Sequence, residues 1–204
     1  MSLCYNLTMR QRRVAANVQA FTLVELTIAI VVIAILASIT LLAYQGTTIR
    51  ANDDKIRSAV VQLQKAISVW SSQTNITDII GGAGSTTAPS ASGCVDGLNG
   101  WFASGRYTCT VEDELVAEKV IPANFTVNLP KNTYYSPGTG DGRFSLMMYR
   151  CGGSGSGAYA LYWTLQNPDA NESAAIDSTL ATCGHATTIR DTNGMRSGAI
   201  IRLG

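Results

Sequence analysis

The sequence predicts an α+β fold, in which one long N-terminal helix packs against a C-terminal antiparallel β-sheet head that carries disulfides. Residues 21–74 contain no proline and begin with an apolar block, and the second half of that stretch has apolar residues at helical spacing. Residues 75–204 instead hold short apolar runs separated by glycine-rich stretches, which is typical of strands and turns. We therefore divide the chain into a leader at 1–20, a long helix at 21–74 and a globular head at 75–204.

The first half of this helix has the length and composition of a membrane span. Only 14% of the 204 residues are charged, against about a quarter in an average protein. Residues 21–44 explain much of this shortage, because 19 of these 24 residues are apolar and only Glu25 is charged. They extend about 36 Å as a helix, which exceeds the hydrocarbon thickness of a bilayer and the core of a signal peptide. We expect a retained transmembrane helix, and the composition excludes a disordered chain and a polytopic membrane protein.

The second half of the helix is amphipathic. Ile49, Ile56, Leu63 and Trp70 recur every seven residues, while charged and amide side chains occupy the other faces. One apolar face on an otherwise polar helix indicates packing against a folded domain. We expect Ile67 and Trp70 to lie in the contact between the helix and the sheet.

The residues at the start of the apolar block carry a family resemblance. A leader with three arginines and no acidic residue precedes the stretch Gln19-Ala20-Phe21-Thr22-Leu23-Val24-Glu25-Leu26. This arrangement resembles the prepilin processing site of type IV pilins and their pseudopilin relatives, and the likeness extends over residues 10–74. The resemblance implies that a prepilin peptidase cuts between Ala20 and Phe21 and methylates the new amine of Phe21.

The resemblance also implies a role for Glu25 in assembly. After cleavage the amine of Phe21 is a cation in apolar surroundings, and Glu25 of a neighbouring subunit neutralises it while the helices bundle. The alternative is that Glu25 lies near the membrane interface and extends its carboxylate toward water. Ala20 departs from the glycine that the family usually has before the cut, and the leader begins at Met1 or at Met9.

The head is predicted to combine a short helix with several strands. Acidic residues in a first turn and a proline at the end predict a helix over 110–121. Alternating or aromatic-rich runs predict strands at 125–129, 143–149, 158–165 and 199–203. Glycines at 152–157 suit a hairpin connection between the runs at 143–149 and 158–165. The low-charge stretch at 81–93 is predicted to be an exposed loop.

The cysteines indicate an oxidising compartment. Cys4 lies in the leader, and the four others lie in the head, which fits an exported protein with two disulfides. Of the three pairings we favour Cys94 with Cys109 and Cys151 with Cys183, because short loops close readily. A zinc site is the alternative, but the chain has no CxxC pair and one histidine, His185, which we place at the surface or in a turn.

Candidate chemistry in the head is sparse. With one histidine the chain offers no Ser/His/Asp or Cys/His constellation, so we expect no enzyme activity, no cofactor and no metal. A calcium loop stays open as an alternative, since oxygen-bearing side chains alternate at Asn167, Asp169, Asn171 and Asp177. Against it, Glu172 and Ser178 stand where an EF-hand needs a glycine and a bidentate glutamate. The other interpretation is a turn that leads into a helix capped by Asn171 or Ser173.

The resemblance implies a structural function. A type IV pilin is held in the cell membrane by its single span, trimmed by the prepilin peptidase, and polymerised with copies of itself into an extracellular helical filament. An assembly ATPase and a platform protein drive this polymerisation, and the filaments serve adhesion and twitching motility. The alternatives are a pseudopilin of a type II secretion system, a pilin that binds DNA for uptake, and a membrane-anchored enzyme. DNA binding would need a basic stripe, whereas residues 75–204 hold 8 basic and 11 acidic residues.

Overall fold

The computed structural model describes residues 21–74, 100–103, 107, 109–134, 144–152 and 157–203. The chain divides into two compact units, one up to Tyr44 and one from Gln45 onward. The helices are α1 (Leu23–Thr74), α2 (Val111–Ala117), α3 (Ala170–Cys183) and α4 (Thr188–Asp191), and the strands are β1 (Leu146–Arg150), β2 (Ala158–Trp163) and β3 (Ser197–Arg202). The predicted α+β class is confirmed. The leader and the stretch at 81–93 lie outside the described residues.

The three strands form one antiparallel sheet in the order β1, β2, β3. β1 and β2 are consecutive in the chain, whereas α3 and α4 intervene before β3 pairs with the other edge of β2. Along the outer edge of β1, Trp101 forms a bridge with Met147, and the amide of Met148 donates to the carbonyl of Gly100 at 2.7 Å. The strands predicted at 158–165 and 199–203 correspond to β2 and β3, and the one predicted at 143–149 corresponds to β1.

The sheet separates two apolar cores within the second unit. Side chains alternate between the two faces of a strand, so neighbouring residues of β2 enter different cores. Leu161 belongs to the same buried cluster as Ile67 and Trp70 of α1, and all three side chains are fully buried. Tyr162 belongs to a second cluster with Leu180 of α3. The predicted contact of Ile67 and Trp70 with the sheet is therefore present, and α1 and α3 pack on opposite faces of the sheet.

Helix α2 begins as the sequence predicts but ends earlier. The hydroxyl of Thr110 accepts from the amide of Asp113 at 3.1 Å, and the amide of Thr110 donates to the carboxylate of Asp113 at 2.9 Å. This reciprocal capping satisfies two amides that a helix N-terminus otherwise leaves unpaired. Lys119 has a left-handed φ of 58°, and the amide of Val120 turns back to the carbonyl of Leu115. The helix therefore ends at Ala117, short of the predicted limit.

The strand predicted at 125–129 is wrong, because these residues form turns. The amide of Phe125 donates to the carbonyl of Pro122, and the amide of Leu129 donates to the carbonyl of Thr126, both at 3.0 Å. The buried carboxylate of Glu112 accepts from the amide and the hydroxyl of Thr126 at 3.2 and 2.8 Å. A buried carboxylate needs such donors, and a ladder strand would direct its amides to another strand instead.

Helix α3 confirms the interpretation of a turn followed by a helix, but its cap differs from the prediction. Asp169, rather than Asn171 or Ser173, caps the helix, and its carboxylate accepts from the amide of Glu172 at 2.8 Å. Asp169 is favoured because the turn before it leaves the residue extended, as an N-cap requires. The helix ends at Gly184, whose φ of 68° suits a residue without a side chain.

A group of polar contacts, which we call the Asp53–Arg57 clasp, fastens the second half of α1 to the connection between β2 and α3 and to the first turn of α3. The buried carboxylate of Asp53 accepts from the amides of Gln166 and Asn167, each at 2.9 Å. One turn later, the guanidinium of Arg57 binds both carboxylate oxygens of Glu172 at 2.6 and 2.9 Å. Two-point contacts of this kind fix orientation as well as distance. The clasp therefore fixes the second half of α1 against the rest of the second unit.

Candidate processing and assembly site

The first turn of α1 holds the Glu25 carboxylate at the start of the helix. The amide and the hydroxyl of Thr22 donate to the same carboxylate oxygen of Glu25 at 2.8 and 2.9 Å. In return, the amide of Glu25 donates to the Thr22 hydroxyl at 3.3 Å. Thr22 and Glu25 thus form a capping box, and the negative charge also lies at the positive end of the helix dipole. Phe21, whose amine would be released by cleavage, directly precedes this turn.

The first half of α1 presents apolar side chains around its whole circumference. From Phe21 to Thr48, every residue whose side chain the structure describes is exposed. The exposed fraction is 85% for Phe21 and 64% for Ile33. Soluble proteins bury such continuous apolar surface, so this segment requires a lipid or protein environment.

The hydroxyl groups within the apolar half are satisfied by their own helix. Thr27 donates to the carbonyl of Val24 at 2.9 Å, and Ser38 donates to the carbonyl of Ala34 at 2.8 Å. The hydroxyl of Thr40 contacts the carbonyls one turn before it. Hydroxyls bonded in this way place no unpaired donor in lipid. Within the described ranges, one helix, Leu23–Gln73, is long and apolar enough to cross a membrane by its length and composition.

Two of the four head cysteines form a described disulfide. Cys151 and Cys183 are bonded to each other, as the favoured pairing expects. Cys109 is disulfide-bonded as well, while Cys94, its favoured partner, lies outside the described residues, as does Ala20 of the cleavage site. The disulfide joins the end of β1 to the end of α3, which ties the sheet to the helix on its second face.

His185 is a half-buried structural residue that follows α3. Its Nε2 lies 2.7 Å from the carbonyl of Arg150, which can only accept, and its Nδ1 lies 2.8 Å from the hydroxyl of Tyr162. A proton on Nε2 can be donated to this carbonyl, and the Tyr162 hydroxyl can donate to Nδ1. Burial raises the pKa of the Tyr162 hydroxyl, which keeps it a donor to His185. His185 therefore lies half-buried in the short connection between α3 and α4, with both ring nitrogens engaged.

Two carboxylates of the calcium-loop alternative are engaged by the protein itself. Asp169 caps α3, and Asp177 pairs with Arg190. Among the residues that the structure describes, no group of three or more His, Cys, Asp or Glu side chains could hold a metal ion.

Within the Asp53–Arg57 clasp, the pKa of Glu172 is lowered by its partners. The hydrogen bond from the Arg57 side chain lowers the pKa of Glu172, and the amide of Asp169 acts in the same direction. Partial burial of the carboxylate acts in the opposite direction but is outweighed. The ion pair therefore keeps Glu172 charged to a lower pH than an ordinary glutamate.

Two of these features were missed by the sequence reasoning. The capping box at Thr22 was open to detection, because Thr-x-x-Glu before an apolar run is a recognised start signal for a helix. The clasp had no such signal, since Asp53 and its partner Gln166 are 113 residues apart.

Comparison with known proteins gives one match, at the N-terminus. The family described as the prokaryotic N-terminal methylation motif, which is the type IV prepilin signature, matches residues 16–41. The matched residues include Ala20, Phe21 and Glu25. No curated protein and no solved structure matches the chain.

Proposed function

We propose that this chain, which carries the type IV prepilin signature, is a subunit of a type IV pilus. The signature and the long apolar helix fit a pilin or pseudopilin that is anchored in the membrane before processing. A prepilin peptidase cuts between Ala20 and Phe21 and methylates the new amine, after which the chain polymerises into an extracellular filament. The observation that carries this proposal is the exposed apolar half of α1, which has one carboxylate, Glu25, at its start.

The exposed apolar half favours assembly over a permanent anchor. A simple anchor needs apolar side chains and gains nothing from a charged residue near its start, because a carboxylate in lipid costs several kcal/mol on insertion scales. In a filament the same surface packs against the helices of neighbouring copies, with the apolar side chains kept from water. Glu25 then has a partner, since the released amine of Phe21 carries the opposite charge.

The capping box prepares Glu25 for this role. Its carboxylate already lies 2.8 Å from the amide of Thr22, one residue from the nitrogen that cleavage converts into an amine. Breaking a buried ion pair by removing one partner costs about 3–5 kcal/mol. We expect Glu25 of one subunit to neutralise the Phe21 amine of a neighbour, so that each charge compensates the other in the filament core.

The proposal implies several partners and a change of location. Copies of the chain, the prepilin peptidase, an assembly ATPase and a platform protein act on it in the cell membrane. The finished filament is extracellular and serves adhesion and twitching motility. Of the three arginines near the C-terminus, Arg190 is paired with Asp177 and Asp191, and Arg196 lies over the ring of Tyr134. This arrangement gives no support to a DNA-binding stripe as the main function.

The test is the composition of surface fibres. Fibres are sheared from cells that produce the chain, purified, and analysed by mass spectrometry of the N-terminal peptide. A peptide that begins with methylated Phe21 is the expected result. Fibres that lack the chain, or a chain in fibres that retains its leader, would contradict the proposal.

A pseudopilin of a type II secretion system is the second candidate, because the matched motif at 16–41 supports pilins and pseudopilins alike. Pseudopilins do not build long surface fibres at ordinary abundance. Absence of surface fibres, together with loss of protein secretion on deletion of the gene, would favour this candidate.

A further inference from the structure

A groove runs along one side of α1 within the second unit. It lies between the helix and residues 118–129, and consists of two cavities of about 310 and 520 Å³ that share Gln62 in their walls. The groove extends from Lys55 to Gln73, which is about 27 Å along a helix. Ala59 and Ala66 form part of its wall and leave room beside the helix. A groove of this length can take another helix laid along it.

The groove is positively charged. Lys55, Lys65 and Lys119 line it, and Glu118 is the one acidic residue in its walls, so its formal charge is +2. All three lysines are exposed. Within the described part of the chain, no carboxylate is ion-paired with them. An occupant should therefore carry acidic residues at a matching spacing.

The outer side of α3 has the complementary charge. Asp169 and Asp177 are exposed there, and Arg190 and Asp191 of the adjacent α4 join them through the pairs of Arg190 with Asp177 and Asp191, so the formal charge of this surface is −2. Glu172 adds no net charge, because Arg57 of the clasp neutralises it. Between the acidic residues the helix exposes small side chains. A helix whose exposed side chains are small can approach a groove closely.

The spacing of the charges also agrees. Asp169 and Asp177 are eight residues apart, about 12 Å along a helix, and Lys55 and Lys65 are ten residues apart, about 15 Å. Lysine side chains are long and flexible enough to accommodate this difference. Asp177 is paired with Arg190, so its side of the match is the group Asp177, Arg190 and Asp191, whose formal charge is −1. Along the helix axis, this group and Asp169 can therefore lie near the two groove lysines.

From this match in charge, spacing and shape, we propose that α3 of a second copy of this chain docks into the groove beside α1. The contact rests on the proposed function, since it joins subunits of the same filament. α1 and α3 pack on opposite faces of the sheet, so the groove and the docking helix belong to different sides of one head. A contact between unlike surfaces does not close on itself, and repetition of it builds an open chain of subunits.

Cysteine crosslinking in assembled filaments tests the contact. Gln62→Cys places a thiol in the groove and Ala174→Cys places one on the exposed side of α3. Filaments of the full chain with both substitutions are treated with a short bismaleimide and separated under denaturing conditions. The expected result is a ladder of dimers, trimers and larger products, because each subunit donates one thiol to each of two neighbours. Each single substitution should give no ladder.

A matched pair controls for general proximity in the filament. Lys131→Cys with Ala174→Cys replaces the groove thiol by one at an exposed position outside the groove, and should give no ladder. Filaments that show no ladder with the groove pair, or an equal ladder with the control pair, overturn the contact while leaving the filament function intact. Failure of the unsubstituted chain to form filaments would overturn the proposed function, and the contact with it.

Charge reversal gives a second measurement. Lys55→Glu with Lys65→Glu should lower the yield of sheared filaments about tenfold, because like charges then face each other across the contact. Lys131→Glu, an exposed lysine outside the groove, should leave the yield within about twofold of the original chain, as expected for a surface substitution away from a contact. Processing at Phe21, read from the N-terminal peptide, should be unchanged in both. Equal yields from the two variants would contradict the contact.

Discussion

The two halves of α1 differ in what covers their apolar residues. In the half after Gln45, Leu63, Ile67 and Trp70 are fully buried in the core of the head. In the half before it, apolar side chains surround the helix and remain exposed. One helix thus holds two kinds of surface, one satisfied by its own chain and one that needs lipid or other copies. Substitutions in the first half should affect assembly, and substitutions in the second half should affect the stability of the head.

The largest effect is expected from Glu25→Leu, which removes the one carboxylate from the first half of α1. Loss of the carboxylate leaves the amine of Phe21 uncompensated, and an effect of about 3–5 kcal/mol per subunit would abolish filaments. Membrane insertion and cleavage should persist, as shown by the N-terminal peptide of the membrane-bound chain. Asp54→Asn, which removes an exposed carboxylate from the second half of the same helix, should retain filaments. Normal fibres from the Glu25 variant would refute the role of Glu25.

Among substitutions in the second half of α1, Trp70→Ala should cause the largest loss of stability. Removal of a fully buried indole should lower the free energy of unfolding by about 3–5 kcal/mol. The measurement is denaturant unfolding of the full chain in detergent, followed by the signals of the remaining tryptophans. Val61→Ala, at a position that is 50% exposed on the same helix, should cost less than about 0.5 kcal/mol. Equal effects of the two substitutions would contradict the assigned core.

Asp53→Ala should weaken the attachment of α1 to the head by a smaller amount. It leaves the amides of Gln166 and Asn167 without their acceptor, and because both residues are exposed, water can take its place in part, so we expect a loss of about 1 kcal/mol. Unfolding in detergent should show the loss, with hydrogen exchange increased at these two amides. Lys65→Ala, at an exposed position on the same helix outside the clasp, should leave both the unfolding and the hydrogen exchange unchanged. Protected amides in the Asp53 variant would show that the clasp does not hold them.

The smallest effect concerns pH. Because Arg57 lowers the pKa of Glu172 in the folded chain, this pair stabilises the fold above the ordinary glutamate pKa. That stability is lost as pH falls from the ordinary value of 4.5 through the lower folded value. Between pH 7 and pH 3, Glu172→Gln should therefore show a shallower decline in thermal midpoint than the original chain. Parallel declines would indicate that the pair contributes nothing to stability.

The parts of the fold that sequence alone predicted are those with local signals. The apolar block, the seven-residue spacing around Trp70 and the short runs of β2 and β3 are each patterns within one segment. The capping residue Asp169 and the turn at 125–129 were not predicted. In both places several side chains could accept a hydrogen bond from the backbone amides, and the sequence does not show which one does. Thr126 bonds Glu112, 14 residues earlier, and no pattern within residues 125–129 shows that partner. The Asp53–Arg57 clasp is less accessible still, because its two sides meet only after folding.

In the candidate site, too, features with a local sequence signal were predicted and those formed by distant segments were not. Phe21 and Glu25 were located by the order of residues around the start of the apolar block, and the matched motif covers that order. The groove beside Gln62 was not foreseen, since its walls come from α1 and from residues 118–129. Sequence therefore indicated the candidate processing site, and the structure was needed to find a surface that could join one head to another.

The most direct test of the central claim is photo-crosslinking from the apolar half of α1 before and after assembly. A photoreactive residue at Ile33, which is 64% exposed, should form adducts with lipid in the membrane-bound chain. In sheared filaments the same residue should crosslink to a second copy, while a probe at buried Ile67 should crosslink within its own chain in both states. Lipid adducts at Ile33 that persist in filaments, with no crosslinks between copies, would contradict the account.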